Sequence, residues 1–326
     1  MIRKSAILKT VAILLTIICM CFAITTCTPT ENCSTVKHEI TFCSDAGIYS
    51  KIQVAQGKTI IKPENPQKQN YIFLNWCVDQ ELNIEYDFSK SVYESFSLYA
   101  KFKMDGVAVT NEITTNTIKS IVKITNTSYN TNIIDMTTEY VTGLGSGVVY
   151  KIENDWFYIL TNCHVAIKKQ NFSRLSLTVF DYMGREFDAE LISANANYDL
   201  AVIRFKQKTN EKEKTDAIAL DFALNDPKIN DDVIALGSPH GQVNAISYGI
   251  ATQFKKITLS ETSEYYSNVQ FDVLQHSAYI NNGSSGGPLL NANLEIIGIN
   301  YAGENNGEKG YSIPVSKVQE FLLSII

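Results

Sequence analysis

Residues 156–165 read Trp-Phe-Tyr-Ile-Leu-Thr-Asn-Cys-His-Val, an aromatic and aliphatic strand over Trp156–Leu160 that ends at a histidine, His164. Aromatic and β-branched residues fit a pleated, half-buried surface, so this segment predicts a strand. Comparable segments flank it every ten residues or so: Ile118–Ile124, Gly147–Ile152, Leu175–Phe180, Arg185–Ile192 and Leu200–Phe205. A second set follows at Asp232–Leu236, Ala245–Gln253, Phe271–Gln275 and Glu295–Tyr301, and Met183-Gly184 suits a tight hairpin. Helical spacing emerges only at the end, where Val315, Val318, Phe321, Leu322 and Ile325 recur after Pro314, with Ser316 as a candidate cap. Evenly spaced antiparallel strands over ~200 residues predict an all-β sandwich or paired barrels.

Three local motifs stand out in this frame: Leu160-Thr161-Asn162-Cys163-His164-Val165, Asn197-Tyr198-Asp199-Leu200-Ala201-Val202-Ile203, and Asn282-Gly283-Ser284-Ser285-Gly286-Gly287-Pro288-Leu289-Leu290. Singly, each suits a bland role: a structural histidine, a turn-forming aspartate, a glycine-serine loop. In the order His, Asp, Ser they fit acyl transfer. A serine hydroxyl is a weak nucleophile until an imidazole takes its proton. A buried carboxylate holds that imidazole in one tautomer and stabilises its cation. Backbone donors must face the developing oxyanion, and glycines beside the serine permit the sharp turn that aims them. Asp199 would orient His164, His164 would act as base and then acid, and Ser285 would attack. A histidine base, with an ordinary pKa near ~6.5, predicts activity rising between about pH 6 and 8.

These motifs resemble the trypsin-like serine proteases, most closely their HtrA/Deg branch. The matched residues are Thr161-Asn162-Cys163-His164-Val165, Asp199-Leu200-Ala201-Val202 and Gly283–Leu289. Gly143–Val148, Ala235–Pro239, Ile297–Asn300 and Gly310–Pro314 add further matches, so the resemblance covers about residues 111–326. It implies a double β-barrel of six strands each with a short C-terminal helix and a site in the cleft. It also implies oxyanion donors drawn from Gly283, Ser284 and Ser285, with Gly283 and Ser285 facing the hole, and polypeptide substrates. The position six residues before the nucleophile, the family's pocket base, is Tyr279. No carboxylate stands there to pair with a basic substrate residue, so a shallow pocket walled by Ile299, Asn300 and Tyr301 is expected, with broad cutting of extended or unfolded chains. Two residues depart from the pattern. Ser284 replaces an Asn or Asp, and Cys163, beside the histidine, reads as buried filler and not as a nucleophile. With eleven residues after Val315 in the sequence given, no C-terminal PDZ domain is expected; oligomer formation stays open.

Upstream, short aromatic strands alternate with turns: His38–Phe42, Tyr49–Val54, Tyr71–Trp76, Tyr86–Phe88 and Phe96–Phe102, with breaks at Pro63 and Pro66. Tyr71, Phe73 and Trp76 with Leu98-Tyr99-Ala100-Lys101 resemble the Listeria–Bacteroides (internalin B-type) repeat. That resemblance implies a small β-grasp-like spacer or binding module, with a surface partner as its alternative role. A non-catalytic surface adhesin on a protease-like scaffold is the competing reading of the whole chain. A third is a zymogen-like protease that needs a partner or a membrane to order its oxyanion loop.

The N-terminus carries Arg3, Lys4 and Lys9 before a fourteen-residue apolar run, Val11–Ile24. That is a signal-peptide layout, short of the ~20 residues that span a bilayer as a helix. Ile24-Thr25-Thr26-Cys27 resembles a bacterial lipobox, with Thr26 a departure, which implies lipidation of Cys27 and tethering to the outer face of the membrane. The expected division is therefore 1–26 leader, 27–35 linker, 36–104 repeat and 105–326 protease.

Composition agrees with that division. Length 326 suggests about two domains. A hydrophobic share of 45 % with 10 % aromatics excludes a disordered chain. Seven cysteines are too few for a disulfide scaffold, although a Cys43–Cys77 bridge stays open. A net charge of −6 without basic runs excludes a nucleic-acid footprint. The histidines and cysteines show no metal-ligand spacing, and no cofactor is expected.

Overall fold

A computed structural model describes residues 36–134, 136–238, 245–257, 267–304 and 308–325. The expected leader, linker and Cys27 lie outside the described residues. The chain divides into two compact units, one ending at Pro66 and resuming over Asn75–Lys101, the other comprising Gln67–Leu74 and everything from Phe102.

Residues 37–104 carry a four-stranded sheet. Strands β1 (Lys37–Ser44) and β2 (Gly47–Ala55) form a hairpin around Asp45-Ala46, and the sheet order is β2-β1-β4-β3, with β3 at Tyr71–Cys77 and β4 at Phe96–Met104. The β1–β4 pair is parallel, the mixed pairing of a grasp-type sheet. Alternation puts Ile40 and Phe42 of β1 and Leu98 of β4 on one face, all fully buried. Trp76 closes this core edge-on to Phe42, at 4.8 Å between ring centroids. Tyr86–Phe88 forms no strand; the Tyr86 N–H donates to the Trp76 carbonyl at 2.8 Å and its ring packs on Phe88. Cys43 and Cys77 are free thiols.

The second unit holds two closed barrels of six strands each. The first runs β10-β7-β6-β5-β8-β9 and the second β11-β12-β13-β16-β15-β14. The first barrel's strands are β5 (Ile121–Thr131), β6 (Thr138–Glu153), β7 (Trp156–Thr161), β8 (Arg174–Phe180), β9 (Glu186–Asn195) and β10 (Leu200–Lys206). The second's are β11 (Asp232–Gly237), β12 (Ala245–Lys255), β13 (Val273–His276), β14 (Pro288–Leu290), β15 (Ile296–Glu304) and β16 (Lys309–Pro314).

The barrels explain why several strands read as unbroken apolar runs. On β10, Ala201, Ile203 and Phe205 point into the first barrel, where Phe205 stacks on Phe157 at 4.9 Å. Leu200 and Val202 point the other way, into a core shared with Leu236, Ile299 and Ile313 of the second barrel. A strand buried on both faces loses its polar alternation. Ile234 and Leu236 on β11 face this shared core, while Val233 and Ala235 line the second barrel's interior.

Three local expectations change. The segment after Asp105 is helical, α1 (Gly106–Thr115), capped by the Asp105 side chain on the Val107 and Ala108 N–H groups. Helix α2 (Cys163–Ala166) is one turn long, and α3 (Val315–Leu323) closes the chain. Ser316 is not the cap of α3. Its N–H and hydroxyl both donate to the carboxylate of Asp226, which caps the helix from outside. The Met183-Gly184 hairpin forms as expected, with the Asp181 carboxylate accepting from the N–H groups of Met183 and Arg185 and from Arg185 Nε at 2.6 Å.

Candidate active site

His164 and Asp199 sit beside strand ends of the first barrel, where the chain leaves the barrel wall. His164 follows β7 on the single turn of α2. Asp199 precedes β10 in a turn whose N–H groups at Tyr198 and Asp199 return to Asn195 and Ala196. Its backbone is left-handed, φ 48°, a conformation that a short polar side chain tolerates. The turn aims the carboxylate back at α2. There Oδ2 lies 2.6 Å from His164 Nδ1, and Oδ1 accepts the His164 backbone N–H at 2.9 Å. Asn162 completes the pair by donating to the Asp199 carbonyl at 2.9 Å. Asp199 is fully buried, while the His164 side chain keeps 29 % of its exposure. The ring is thus held through Nδ1, with its other nitrogen left to meet a substrate-side group.

Lys169 Nζ donates to the His164 carbonyl at 2.7 Å, and burial lowers the Lys169 pKa. Cys163 is buried and its thiol pKa is pushed up to about 12 by burial. It stays protonated at neutral pH, as filler would.

Ser285 comes from the second barrel, on two consecutive tight turns. The Ser284 N–H closes the first onto Asn281 O at 2.8 Å, and the Gly287 N–H closes the second onto Ser284 O at 3.0 Å. The third residue of each turn has positive φ, 97° at Gly283 and 86° at Gly286, as a type II turn requires. Gly286 needs glycine twice over, because an added Cβ would lie 2.2 Å from both Ser146 O and Thr161 Oγ1. Two turns in register alternate the fate of successive amides. Those of Ser284, Gly286 and Gly287 are consumed internally, and those of Gly283 and Ser285 meet no acceptor among the described residues. Ser284 therefore drops out of the expected donor set. The Ser285 hydroxyl makes a long bond to Tyr301 O at 3.5 Å, and its bond to His164 is not formed in this structure.

The expected pocket residues divide. Tyr279 is 48 % exposed, and its hydroxyl accepts from Asn281 Nδ2 at 2.8 Å. The wall is different from the expectation. Ile299 and Tyr301 alternate into the shared core, and Asn300 is fully buried with its amide on Leu236 O and Pro288 O. Their side chains are spent on packing and on buried hydrogen bonds. Tyr301 donates or accepts with Ser267 at 3.0 Å, and burial pushes its pKa up to about 12.

Ser146 on β6 has a part that the sequence reading did not assign. Its N–H donates to Ser285 O at 2.8 Å and its hydroxyl to Gly283 O at 2.6 Å, while it accepts the Ser238 N–H. The Gly-Ser-Gly run around it was the available signal: Cβ atoms at Gly145 and Gly147 would strike Val165 and Ile159.

Two six-stranded antiparallel barrels, with a His–Asp pair on one and a glycine-flanked serine on the other, define a trypsin-like serine peptidase fold. Residues 145–299 match the family model of the trypsin-like peptidase domain, and residues 38–101 match that of the Listeria-Bacteroides repeat domain. The chain thus carries both. It is 31 % identical over 238 residues to the serine protease Do-like HtrA of Bacillus subtilis, across 68 % of this chain and 50 % of that protein. It is 33 % identical over 189 residues to the periplasmic serine endoprotease DegP of Escherichia coli, across 56 % and 36 % respectively. The chain therefore spans half or less of the length of these relatives. Two solved structures share its fold. The Rv3671c protease of M. tuberculosis in its active form has a TM-score of 0.51 at 22 % identity, covering 68 % of this chain and 87 % of that one. The HtrA-type protease AlgW with a decapeptide has a TM-score of 0.52 at 23 % identity, covering 67 % and 66 %.

Proposed function

We propose that the chain is an exported serine endopeptidase that cuts extended or unfolded polypeptides through an acyl-enzyme. The observation that carries this reading is the 2.6 Å contact between His164 Nδ1 and the buried Asp199 carboxylate, set beside a serine turn with two uncommitted amides. With the Nδ1–H donated to the Asp199 carboxylate, Nε2 carries the free lone pair. The Ser285 hydroxyl turns from the Tyr301 carbonyl to that nitrogen, loses its proton and attacks the scissile carbonyl. The Gly283 and Ser285 N–H groups receive the oxyanion; one such donor is worth ~10²–10³ in rate. His164 then returns the proton to the leaving amine. The half-exposed Tyr279, at the position where the family has its pocket base, would leave a shallow pocket that favours small aliphatic residues before the cut.

The basic, then apolar, leader and the periplasmic DegP relative support export. Lipidation at Cys27 would tether the enzyme to the outer face of the membrane, with the repeat as a spacer behind the catalytic unit. A fluorophosphonate probe tests the reading: a covalent adduct on Ser285 that disappears in Ser285→Ala together with casein hydrolysis is expected. A folded wild-type chain that takes no probe, with or without a substrate peptide, would leave the adhesin reading in its place.

A further inference from the structure

The second barrel encloses a chain of polar side chains that the reaction itself does not touch. His276 on β13 is fully buried, and its Nε2 lies 3.0 Å from Ser312 Oγ on β16. Ser312 Oγ donates to Asn300 Oδ1 on β15 at 3.2 Å. Asn300 Nδ2 donates to Leu236 O on β11 at 3.1 Å and to Pro288 O, where β14 begins, at 3.4 Å. The direction of this chain is fixed by counting protons. A serine hydroxyl has one, and Ser312 gives it to Asn300, so the histidine must be the donor and Nε2 must carry its hydrogen. Burial pushes the His276 pKa down to about 4, which keeps the ring neutral at physiological pH. A Cβ at Gly310 would sit 2.1 Å from the ring Cε1, so the imidazole is seated against bare backbone.

The far end of the chain is the serine turn. Besides its three side-chain bonds, Asn300 donates its N–H to Gly287 O at 2.8 Å and accepts the Gly286 N–H at 2.9 Å. One residue therefore makes four hydrogen bonds to Leu236, Gly286, Gly287 and Pro288, holding the residues that follow Ser285 while Ser146 holds Gly283 and Ser285 themselves. The amide orientation matters. With Oδ1 on Ser312, the NH₂ group faces two carbonyls; flipped, it would set its oxygen against both.

We propose that Asn300, oriented by Ser312 and His276, is a positioning residue that holds the serine turn in its reactive shape and so sets the reactivity of Ser285. This inference rests on the protease reading above. A turn displaced by about 1 Å can cost ~10²-fold in rate, so a group that touches no substrate can still govern kcat.

The test uses the full chain and two readouts. Ser312→Ala removes the proton that orients the amide, and His276→Phe removes its donor, whereas His276→Gln keeps an N–H near the Nε2 position. In Ser312→Ala and His276→Phe, exchange of the Gly286, Gly287 and Asn300 amides, followed by NMR, is expected to accelerate at least tenfold. Fluorophosphonate labelling of Ser285 should slow about tenfold or more, with the KM for a peptide substrate unchanged. His276→Gln should stay near wild type on both. Wild-type exchange and labelling in a folded Ser312→Ala would overturn the proposal, and so would faster exchange with undiminished labelling. If His276→Phe does not fold, Ser312→Ala and His276→Gln still decide. A wild-type Ser285 that takes no label would sink the protease reading separately, leaving amide exchange to decide whether Asn300 holds the turn.

Discussion

The hydroxyl of Ser146, on a strand of the first barrel, donates to the carbonyl of Gly283, on the serine turn of the second, at 2.6 Å. The same Ser146 oxygen accepts the Ser238 N–H at 2.8 Å. One side chain thus ties β6, the end of β11 and the turn, and it fixes the Gly283–Ser284 peptide, the one that follows the Gly283 N–H. The Ser285 carbonyl is held by the Ser146 N–H, so both ends of the Gly283–Ser285 stretch are anchored on β6.

Ser146→Ala should therefore weaken catalysis more than binding. It leaves the Gly283 carbonyl and the Ser238 N–H without this partner, each worth about 1–3 kcal/mol when buried. A loosened oxyanion turn is expected to lower kcat about tenfold or more for a peptide substrate while KM stays within about twofold, and a tenfold loss corresponds to about 1.4 kcal/mol. Steady-state kinetics beside a thermal melt separate the outcomes. A lower Tm with unchanged kcat would mean that Ser146 only holds the barrels together.

Asp199→Asn should leave the fold intact and remove most of the activity. Asparagine tolerates the left-handed backbone at this position as well as aspartate does, and its oxygen can still accept the His164 N–H. Its NH₂ group would face Nδ1, forcing that nitrogen to accept and placing the proton on Nε2, where it blocks removal of the serine proton. A loss of ~10³–10⁴ in kcat near pH 7 is expected on that ground. Burst-phase kinetics with an activated ester, beside circular dichroism, check it; near-normal turnover would remove Asp199 from the mechanism.

The local motifs were legible in sequence because each lies within a few residues and on a strand end that alternation or apolarity marks. Most strand positions were legible for the same reason. Helix α1 was not. Val107, Val109, Thr110, Ile113, Thr114 and Thr115 are β-branched and favour strands, yet Val109 and Ile113 are one helical turn apart and both fully buried. The threonines offset their poor helix propensity by bonding back along the helix, Thr114 to Thr110 O and Thr115 to Asn111 O. Strand β14, three residues long, is too short for any period to show. The functions of Ser146 and Asn300 were hidden for a different reason. Ser146 meets its partner 137 residues away, and Asn300 looks like a pocket residue until the register of β15 turns its side chain inward.

His276 makes the protein acid-sensitive in a defined window. The folded chain holds this ring neutral, with its pKa pushed down to about 4, whereas an unfolded chain protonates histidine near ~6.5. Between those values the unfolded state binds more protons, so stability falls as pH drops from about 6.5 to about 4 and this contribution then levels off. At about 1.36 kcal/mol per pH unit, the ring accounts for a loss of up to about 3 kcal/mol. Urea midpoints at pH 7 and 4.5 for wild type and His276→Gln measure it, since Gln does not titrate and carboxylate effects are common to both. An equal acid loss in the two proteins would assign it elsewhere.

Tyr279 is the residue to change for specificity. Its ring is 48 % exposed and tethered through its hydroxyl to Asn281, beside the turn that carries Ser285. Ile299, Asn300 and Tyr301 are committed to the cores, so Tyr279 has the one large side chain among the expected pocket residues that is free to occlude a substrate. Tyr279→Ala should open that space and shift the preferred residue before the cut from small aliphatic to larger apolar side chains. Each added methylene is worth about 1–3 kcal/mol in an apolar pocket, or ~10–200-fold. The kcat/KM ratio for matched peptides with Phe and Ala at that position should therefore rise at least tenfold. The Tyr279 N–H already donates to Ser247 Oγ at 2.7 Å, so the backbone stays anchored when the ring is removed. A ratio that does not move would place the selecting surface on another element.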